Sequence, residues 1–452
     1  MTAPRIIPRP RVSEWRKLPL SLAELCIDTT LRCGQSFRWK KINDTWHCAL
    51  HGRIISLTQD HTHLHYQVTW PNWVNKPESE DDTAALLRNY FALSVPVASL
   101  YKEWQASDAN FARRAPAFTG IRILNQDAWE TLVSFICSAN NNISRISSMV
   151  QKLCVHYGPY IGTIEGEAFH DFPEPIKLSG KGEPHSQVEA HLRQLGFGYR
   201  AQYIAETAWI VAEKKPADWL LGLRNPSVPP LFGGLPLKEE VKKEEKEAEE
   251  EEEGPPSYRA AHEAMMTLSG VGPKVADCVC LMGLGWWESV PVDTHVWQIA
   301  QRDYNFGKGI KTKTFTKGMY NSVGDHFRKI WGPYAGWAQS VLFTANLKSF
   351  AEQASNGKAK KGEMVSTTTT AVVAKAVTVE RGEGVAGNGG DGGDGDGLPA
   401  PLLNARGTRK RKVTSTMEVV KTVKVEKTKE ENIVEQHTTT TRRMSKRIRA
   451  RS

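Results

Sequence analysis

The stretch Leu268-Ser-Gly-Val-Gly-Pro-Lys-Val-Ala-Asp-Cys-Val-Cys-Leu-Met282, followed after a Gly-rich turn by Val290-Pro-Val-Asp293, decides how the rest of the chain is read. A helical run over residues 258–268 meets Gly270-Val271-Gly272, a tight turn open only to small residues, and Pro273 then stands at a favoured first position of a second helix. Gly270 and Gly272 would thus lie where free backbone N–H groups and the positive end of a helix dipole can seat a phosphate. The same pattern also fits a plain connector between two helices.

Lys274 adds chemistry to the turn. Steps of four from position 274 reach Cys278 and Met282, so amine, thiol and thioether share one helix face among Val275, Val279 and Leu281. Burial on that face and the nearby positive helix end both disfavour an ammonium, and a neutral amine is a nucleophile able to form a Schiff base. The spacing equally allows an exposed Lys274 paired with Asp277. Asp293 lies nineteen residues after the lysine, at the end of an apolar Val-Pro-Val run. A carboxylate there could stabilise a cationic sugar or orient a proton transfer, and it could also cap the helix beginning near His295.

These residues resemble the helix-hairpin-helix, Gly/Pro-rich loop and catalytic Asp signature of the DNA glycosylase superfamily, and lysine at 274 implies its bifunctional branch. Four further segments narrow the resemblance to the eukaryotic 8-oxoguanine DNA glycosylases: Cys33-Gly-Gln-Ser-Phe-Arg-Trp39, Asn140-Asn-Asn-Ile-Ser-Arg145, Leu195-Gly-Phe-Gly-Tyr-Arg200 and Trp331-Gly-Pro-Tyr-Ala-Gly-Trp-Ala-Gln-Ser-Val-Leu-Phe343. All occur in the family's order across about 330 residues.

The resemblance implies Lys274 as nucleophile and Asp293 as its catalytic carboxylate. It further implies a base pocket in which Gln339 reads a base edge, Phe343 stacks on one face, and Cys278 and Met282 lie against the other. The backbone carbonyl of Gly34 would accept from the N–H that the oxidised purine has and guanine lacks, and an unpaired buried carbonyl costs about 1 to 3 kcal/mol. Asn140 would fill the space left by the extruded base, Arg145 and Arg200 would bond the orphaned cytosine, Tyr199 would wedge the stack, and His295 would join the hairpin on phosphates. The partner implied is duplex DNA containing oxidised guanine, with no cofactor and no metal, because a protonated imine is itself the electron sink. A noncatalytic hairpin module and a glycosylase for another damaged base are the alternatives.

Composition agrees with an anionic partner. The formal charge is +9 and the pI about 9.0, though a membrane surface would also suit them. No apolar run approaches twenty residues, which argues against a membrane span. Seven cysteines, an odd number with no apolar leader at the start, are expected as reduced thiols inside a cell, and Cys278-Val-Cys280 is too close and isolated for a metal site.

The fold expected is α+β. After an Arg/Pro-rich, loose segment 1–13, residues 14–115 read as an N-terminal unit: an antiparallel sheet with one solvated face (segments 37–42, 46–50, 53–58 and 63–70), then helices over 82–93 and 97–104. Residues 116–351 read as the helical hairpin domain. In it, Asp127-Ala-Trp-Glu130 caps an apolar run to Cys137, a helix covers 143–157, and Asn140, Asn141 and Asn142 turn the corner between them. A loop over 171–184 precedes helices near 187–195 and 202–213. Residues 225–257 read as a disordered acidic insertion, and 352–452 as a disordered tail. The tail's basic clusters, Arg409-Lys-Arg-Lys412 and residues 442–451, suit nuclear import, added DNA affinity or simple solubility, a mitochondrial fraction stays open, and a monomer is expected.

Overall fold

The computed structural model describes residues 11–73, 81–180, 186–231, 256–307 and 316–350. Its sheet is antiparallel, in the order β1 (Arg11–Val12), β6 (His63–Trp70), β5 (Arg53–Gln59), β4 (Thr45–Leu50), β3 (Lys40–Ile42), with β2 (Arg16–Pro19) also on β6. Two-residue turns set the register. Asn43 and Asp44 (φ 46° and 61°), then His51 and Gly52 (φ 49° and 74°), take left-handed conformations whose twist matches that of the strands they join. Ile55 therefore faces Val68 and Leu57 faces Tyr66, on the same side as Leu64.

That side packs on Leu86, Leu87 and Tyr90 of α2 (Thr83–Tyr90), which follows the short α1 (Ile27–Thr30) in chain order. The other side was expected to be solvated, and it is not. Ala49 and Ile54 pack against Ile161 and Phe169 of a second hairpin, β7 (Tyr160–Ile164) and β8 (Glu167–His170). Two short strands separated from the sheet by five helices carry no local signal of where they dock. The N-terminal segment also corrects its reading, since Arg11 pairs with Trp70 and Val12 with Thr69.

The helices build a second core. The helix read over 97–104, α3 (Val97–Ser107), belongs to it, as does α4 (Ala109–Arg114), which was not read from the sequence: Phe111 meets Trp331 edge-on at 6.5 Å, and the Asn110 amide donates to the Asp303 carbonyl at 2.7 Å. Packing thus crosses the expected boundary at 115. Next come α5 (Ala128–Ser138), capped by Asp127 accepting from the Glu130 N–H, and α6 (Ile143–Tyr157), capped by Asn142. Residues 175–179 are not loop but a short helix, α7 (Pro175–Ser179), begun by proline and ended by left-handed Gly180.

The chain continues through α8 (Ser186–Gln194), α9 (Arg200–Trp209) with a widened turn over Ile210–Lys214, and α10 (Trp219–Gly222). Residues 225–231, assigned above to the acidic insertion, are tied down. The Asn225 amide donates to Gly285, the Asn125 amide to Pro229, and Leu231 is buried against the sheet's core. The Lys/Glu run beyond them and the tail with its basic clusters lie outside the described residues. The last helices are α11 (Tyr258–Met266), α12 (Pro273–Met282), α13 (Thr294–Tyr304), α14 (Lys317–Trp331) and α15 (Ala335–Asn346). Among the described residues no helix is long and apolar enough to cross a membrane.

Candidate active site

The hairpin forms where the sequence places it. Gly270 has φ 72°, and a Cβ there would stand 2.5 Å from the Tyr203 ring, so both conformation and space require glycine. On either side of that approach, Ser269 is bonded to α9: its hydroxyl donates to Glu206 at 2.7 Å and its carbonyl accepts from Thr207 at 3.0 Å. Gly272 caps α12 and Pro273 opens it.

Lys274 is half-buried rather than enclosed. Its Nζ donates to the Ser138 hydroxyl at 3.2 Å and lies 4.7 Å from the centroid of Phe135, both on α5. The apolar surround expected from periodicity covers one side of the amine. Toward the other opens a groove lined by Asn140, Gly270, Gly272, Asp293 and His295. The pairing with Asp277 that spacing allowed does not form. Asp277 is 1% exposed and accepts from Tyr258, Tyr320 and Ser289, and burial raises its pKa against those donors and His262.

Cys278, one turn beyond the lysine, is buried, and burial pushes its thiol up to about 12 while the Lys274 amine pulls the other way. It is a protonated thiol at neutral pH. Asp293 caps α13 with one oxygen, Oδ1 accepting from the His295 and Val296 N–H groups at 2.9 Å each. The second oxygen is left for the cavity that Asp293 also lines.

That cavity collects every residue assigned above to chemistry or base reading: Gly34, Lys274, Cys278, Met282, Asp293, Gln339 and Phe343. Gly34 has φ 92° in a loop clamped by a relay of glutamines. Gln35 donates to the Arg122 carbonyl at 2.8 Å and accepts from the Leu124 N–H at 2.9 Å, and Gln126 donates to the Gln35 carbonyl at 3.0 Å. The Gln126 N–H in turn bonds the Met282 carbonyl at the end of α12 at 2.7 Å. Loop and hairpin helix, 240 residues apart in sequence, are thereby one rigid wall.

Gln339 and Phe343 come from α15. Gly336 lets that helix close in, since a Cβ there would collide with the Ser289 carbonyl oxygen. Gln339 is buried, yet no described residue hydrogen-bonds its amide. The Phe343 ring meets His295 edge-on at 5.8 Å. Sequence reasoning missed Gln35, Phe135, Ser340 and Thr344 in the lining, none of which bears a local mark separating it from ordinary core.

The residues assigned to the duplex border the groove unevenly. Asn140 is exposed in a left-handed conformation (φ 47°), Asn141 bonds back to the Cys137 carbonyl at 2.9 Å, and Arg145 is exposed near the start of α6. Tyr199 is exposed too, its hydroxyl 3.2 Å from the Ala139 carbonyl. Arg200 is not presented. It is 3% exposed, donates to the Ala139 and Asn140 carbonyls, and stacks 4.5 Å from the Tyr199 ring, so it braces the Asn140 corner from beneath.

Comparison with known proteins shows the family to which the chain belongs. Residues 17–132 match the model of the 8-oxoguanine DNA glycosylase N-terminal domain, and residues 133–319 that of the HhH-GPD superfamily of base excision DNA repair proteins. The N-glycosylase/DNA lyase of Saccharomyces cerevisiae is 38% identical over 369 residues, covering 76% of this chain and 89% of that one. An Arabidopsis thaliana N-glycosylase/DNA lyase is 34% identical, with 74% and 80% covered. Among solved structures, the Clostridium acetobutylicum 8-oxoguanine glycosylase/lyase, in complex with duplex DNA containing cytosine opposite 8-oxoguanine, superposes with TM-score 0.53 at 22% identity over 73% of this chain and 92% of that one. A 3-methyladenine DNA glycosylase from Archaeoglobus fulgidus reaches TM-score 0.50 at 16% identity, over 73% and 97%. These two likenesses concern the fold alone.

Proposed function

The chain belongs to the 8-oxoguanine N-glycosylase/DNA lyase family of the HhH-GPD superfamily, and we propose that it excises 8-oxoguanine opposite cytosine through a Lys274 Schiff base and then nicks the strand. It is a DNA N-glycosylase and lyase. What carries the finer reading is one cavity in which an amine and a carboxylate share the walls with a buried amide that no described residue bonds. An amide that bonds no described residue and lines a cavity is available to a ligand with complementary base-edge groups.

In this reading the hairpin N–H groups and His295 grip phosphates, and Asn140 and Tyr199 support the duplex once the purine has turned out of it. The purine enters between Phe343 and the Cys278–Met282 face, with Gln339 on its edge. Gly34, held by the glutamine relay, offers its carbonyl to the N–H that marks the oxidised base. The neutral amine of Lys274 attacks the anomeric carbon, and the base leaves with the electron pair of the glycosidic bond and takes up a proton. Asp293 stabilises positive charge on the sugar through the oxygen not used in capping. The nitrogen, having lost a proton, expels O4′, which takes up a proton as the sugar ring opens and leaves a protonated imine at C1′; loss of a proton from C2′ then pushes electrons into the imine, and the 3′ phosphate departs by β-elimination. Nuclear residence belongs to the same proposal and is supported by the tail's basic clusters.

The test is borohydride trapping on a duplex carrying one 8-oxoguanine opposite cytosine. The native chain is expected to yield a covalent adduct, and Lys274→Gln none. Cleavage without an adduct would assign attack to water, and no cleavage would remove the substrate assignment.

A further inference from the structure

The carboxylate of Asp277 plays no part in the steps above, yet it is the most heavily bonded acid near them. Its Oδ1 accepts from the Tyr258 hydroxyl at 2.5 Å and the Ser289 hydroxyl at 2.8 Å, and His262 Nε2 stands 3.7 Å away. Its Oδ2 accepts from the Tyr320 hydroxyl. A carboxylate offers about four lone-pair sites, so little capacity remains for any outside ligand. The cluster is therefore a fastening and not a second binding site.

What it fastens is specific. Asp277 sits on α12, three residues after Lys274. Ser289 begins the segment Ser289-Val-Pro-Val-Asp293, and its hydroxyl also lies 2.9 Å from Asp277's own carbonyl. At the far end of that segment the Tyr320 hydroxyl accepts from the Val292 N–H at 3.2 Å while donating to Asp277. Pro291, between the two anchors, has no N–H to offer. One buried acid on the lysine's helix thus holds both ends of the segment that delivers Asp293, directly through Ser289 and through Tyr320 at the other.

We infer that Asp277 and Tyr320 are positioning residues that set Asp293 against Lys274, with Tyr320 acting as the bridge between the Asp277 carboxylate and the Val292 amide. This rests on the reading of Lys274 and Asp293 given above. Tyr258 is the natural control. It donates to the same carboxylate from α11 but, among the described residues, makes no hydrogen bond to the 289–293 segment.

The experiment compares Tyr320→Phe with Tyr258→Phe, each deleting one hydroxyl from Asp277. The readouts are the single-turnover rate of borohydride trapping on an abasic-site duplex, the Kd for that duplex, and amide exchange at Val292. Tyr320→Phe is expected to slow trapping about 10-fold or more at nearly unchanged Kd, set against the roughly 100-fold that a full 1 Å misplacement can cost. Val292 should exchange faster in that variant alone, and Tyr258→Phe should trap at close to the native rate. Equal slowing in both variants, or native trapping by Tyr320→Phe, would overturn the inference. If the native chain itself trapped nothing, the functional reading would fall. Val292 exchange would still decide the fastening, and equal protection in all three proteins would remove it.

Discussion

Two sets of buried polar side chains sit next to each other in this molecule and end up in opposite states. In the joint between sheet and helices two arginines are held by many partners: Arg38 meets Glu130 through two bonds of 2.8 and 2.6 Å and spends its remaining nitrogen on the Ala49 carbonyl and Asp171. Arg122 likewise divides its guanidinium among the carbonyls of Phe91, Ala92 and Val95 and residue Glu24. In the cavity a few ångströms of chain away, Gln339 has no bonding partner among the described residues, Lys274 has one hydroxyl, and Asp293 uses one oxygen of two. Matched groups hold parts together, whereas unmatched groups in a buried wall are held ready for something else. The contrast sets the cavity's side chains apart from the two fastened arginines.

Breaking a matched pair should do the most damage to stability. Glu130→Ala leaves Arg38 buried without its main counter-ion, and the cost expected is about 3 to 5 kcal/mol in denaturant unfolding. A loss below about 1 kcal/mol, the level of an exposed pair, would show that the joint is not held as described. The cavity should behave in the opposite way. Gln339→Leu removes an amide that bonds no described residue, so the free protein's stability should change by less than about 1 kcal/mol while 8-oxoguanine excision falls by roughly 10- to 100-fold. A variant both destabilised and fully active would dissolve the distinction.

The smallest effect concerns the thiols. Burial raises Cys137, Cys154 and Cys278 from 9.0 to about 12, so the folded chain keeps their protons where an unfolded chain would lose them. Stability that rests on these protonated thiols is fully present below pH 9 and is lost as pH rises from 9 toward 12, where the unfolded chain ionises first. Iodoacetamide at pH 8 should therefore modify half-exposed Cys26 and spare these three, as mass spectrometry would show. Rapid labelling of Cys278 in the folded protein would mean that the cavity wall opens.

Local chemistry explains which features were legible in the sequence. Gly270, Gly272 and Pro273 dictate a turn and a helix start through their own backbones, and the 274–278–282 spacing follows from helical pitch. Asp127 and Asn142 announce caps for the same reason. The hairpin of residues 160–170 on the second face of the sheet was illegible, because its few alternating residues carry no information about a partner a hundred residues earlier. That the helix read over 97–104 packs in the helical core was illegible on similar grounds, since amphipathic spacing says that a face is buried but not against what.

The sequence by itself determined the helix-hairpin-helix turn, the four main sheet strands and which side chains could do chemistry, since each of these depends on interactions within a turn or two of chain. The family resemblance came from such local motifs read together. Only the tertiary structure decided that Lys274 faces a groove instead of pairing with Asp277, that Arg200 braces a corner, and that Asp277 reaches both ends of the Asp293 segment. Those outcomes turn on which distant donors arrive at a buried acceptor, and a buried polar atom takes whichever partner packing delivers.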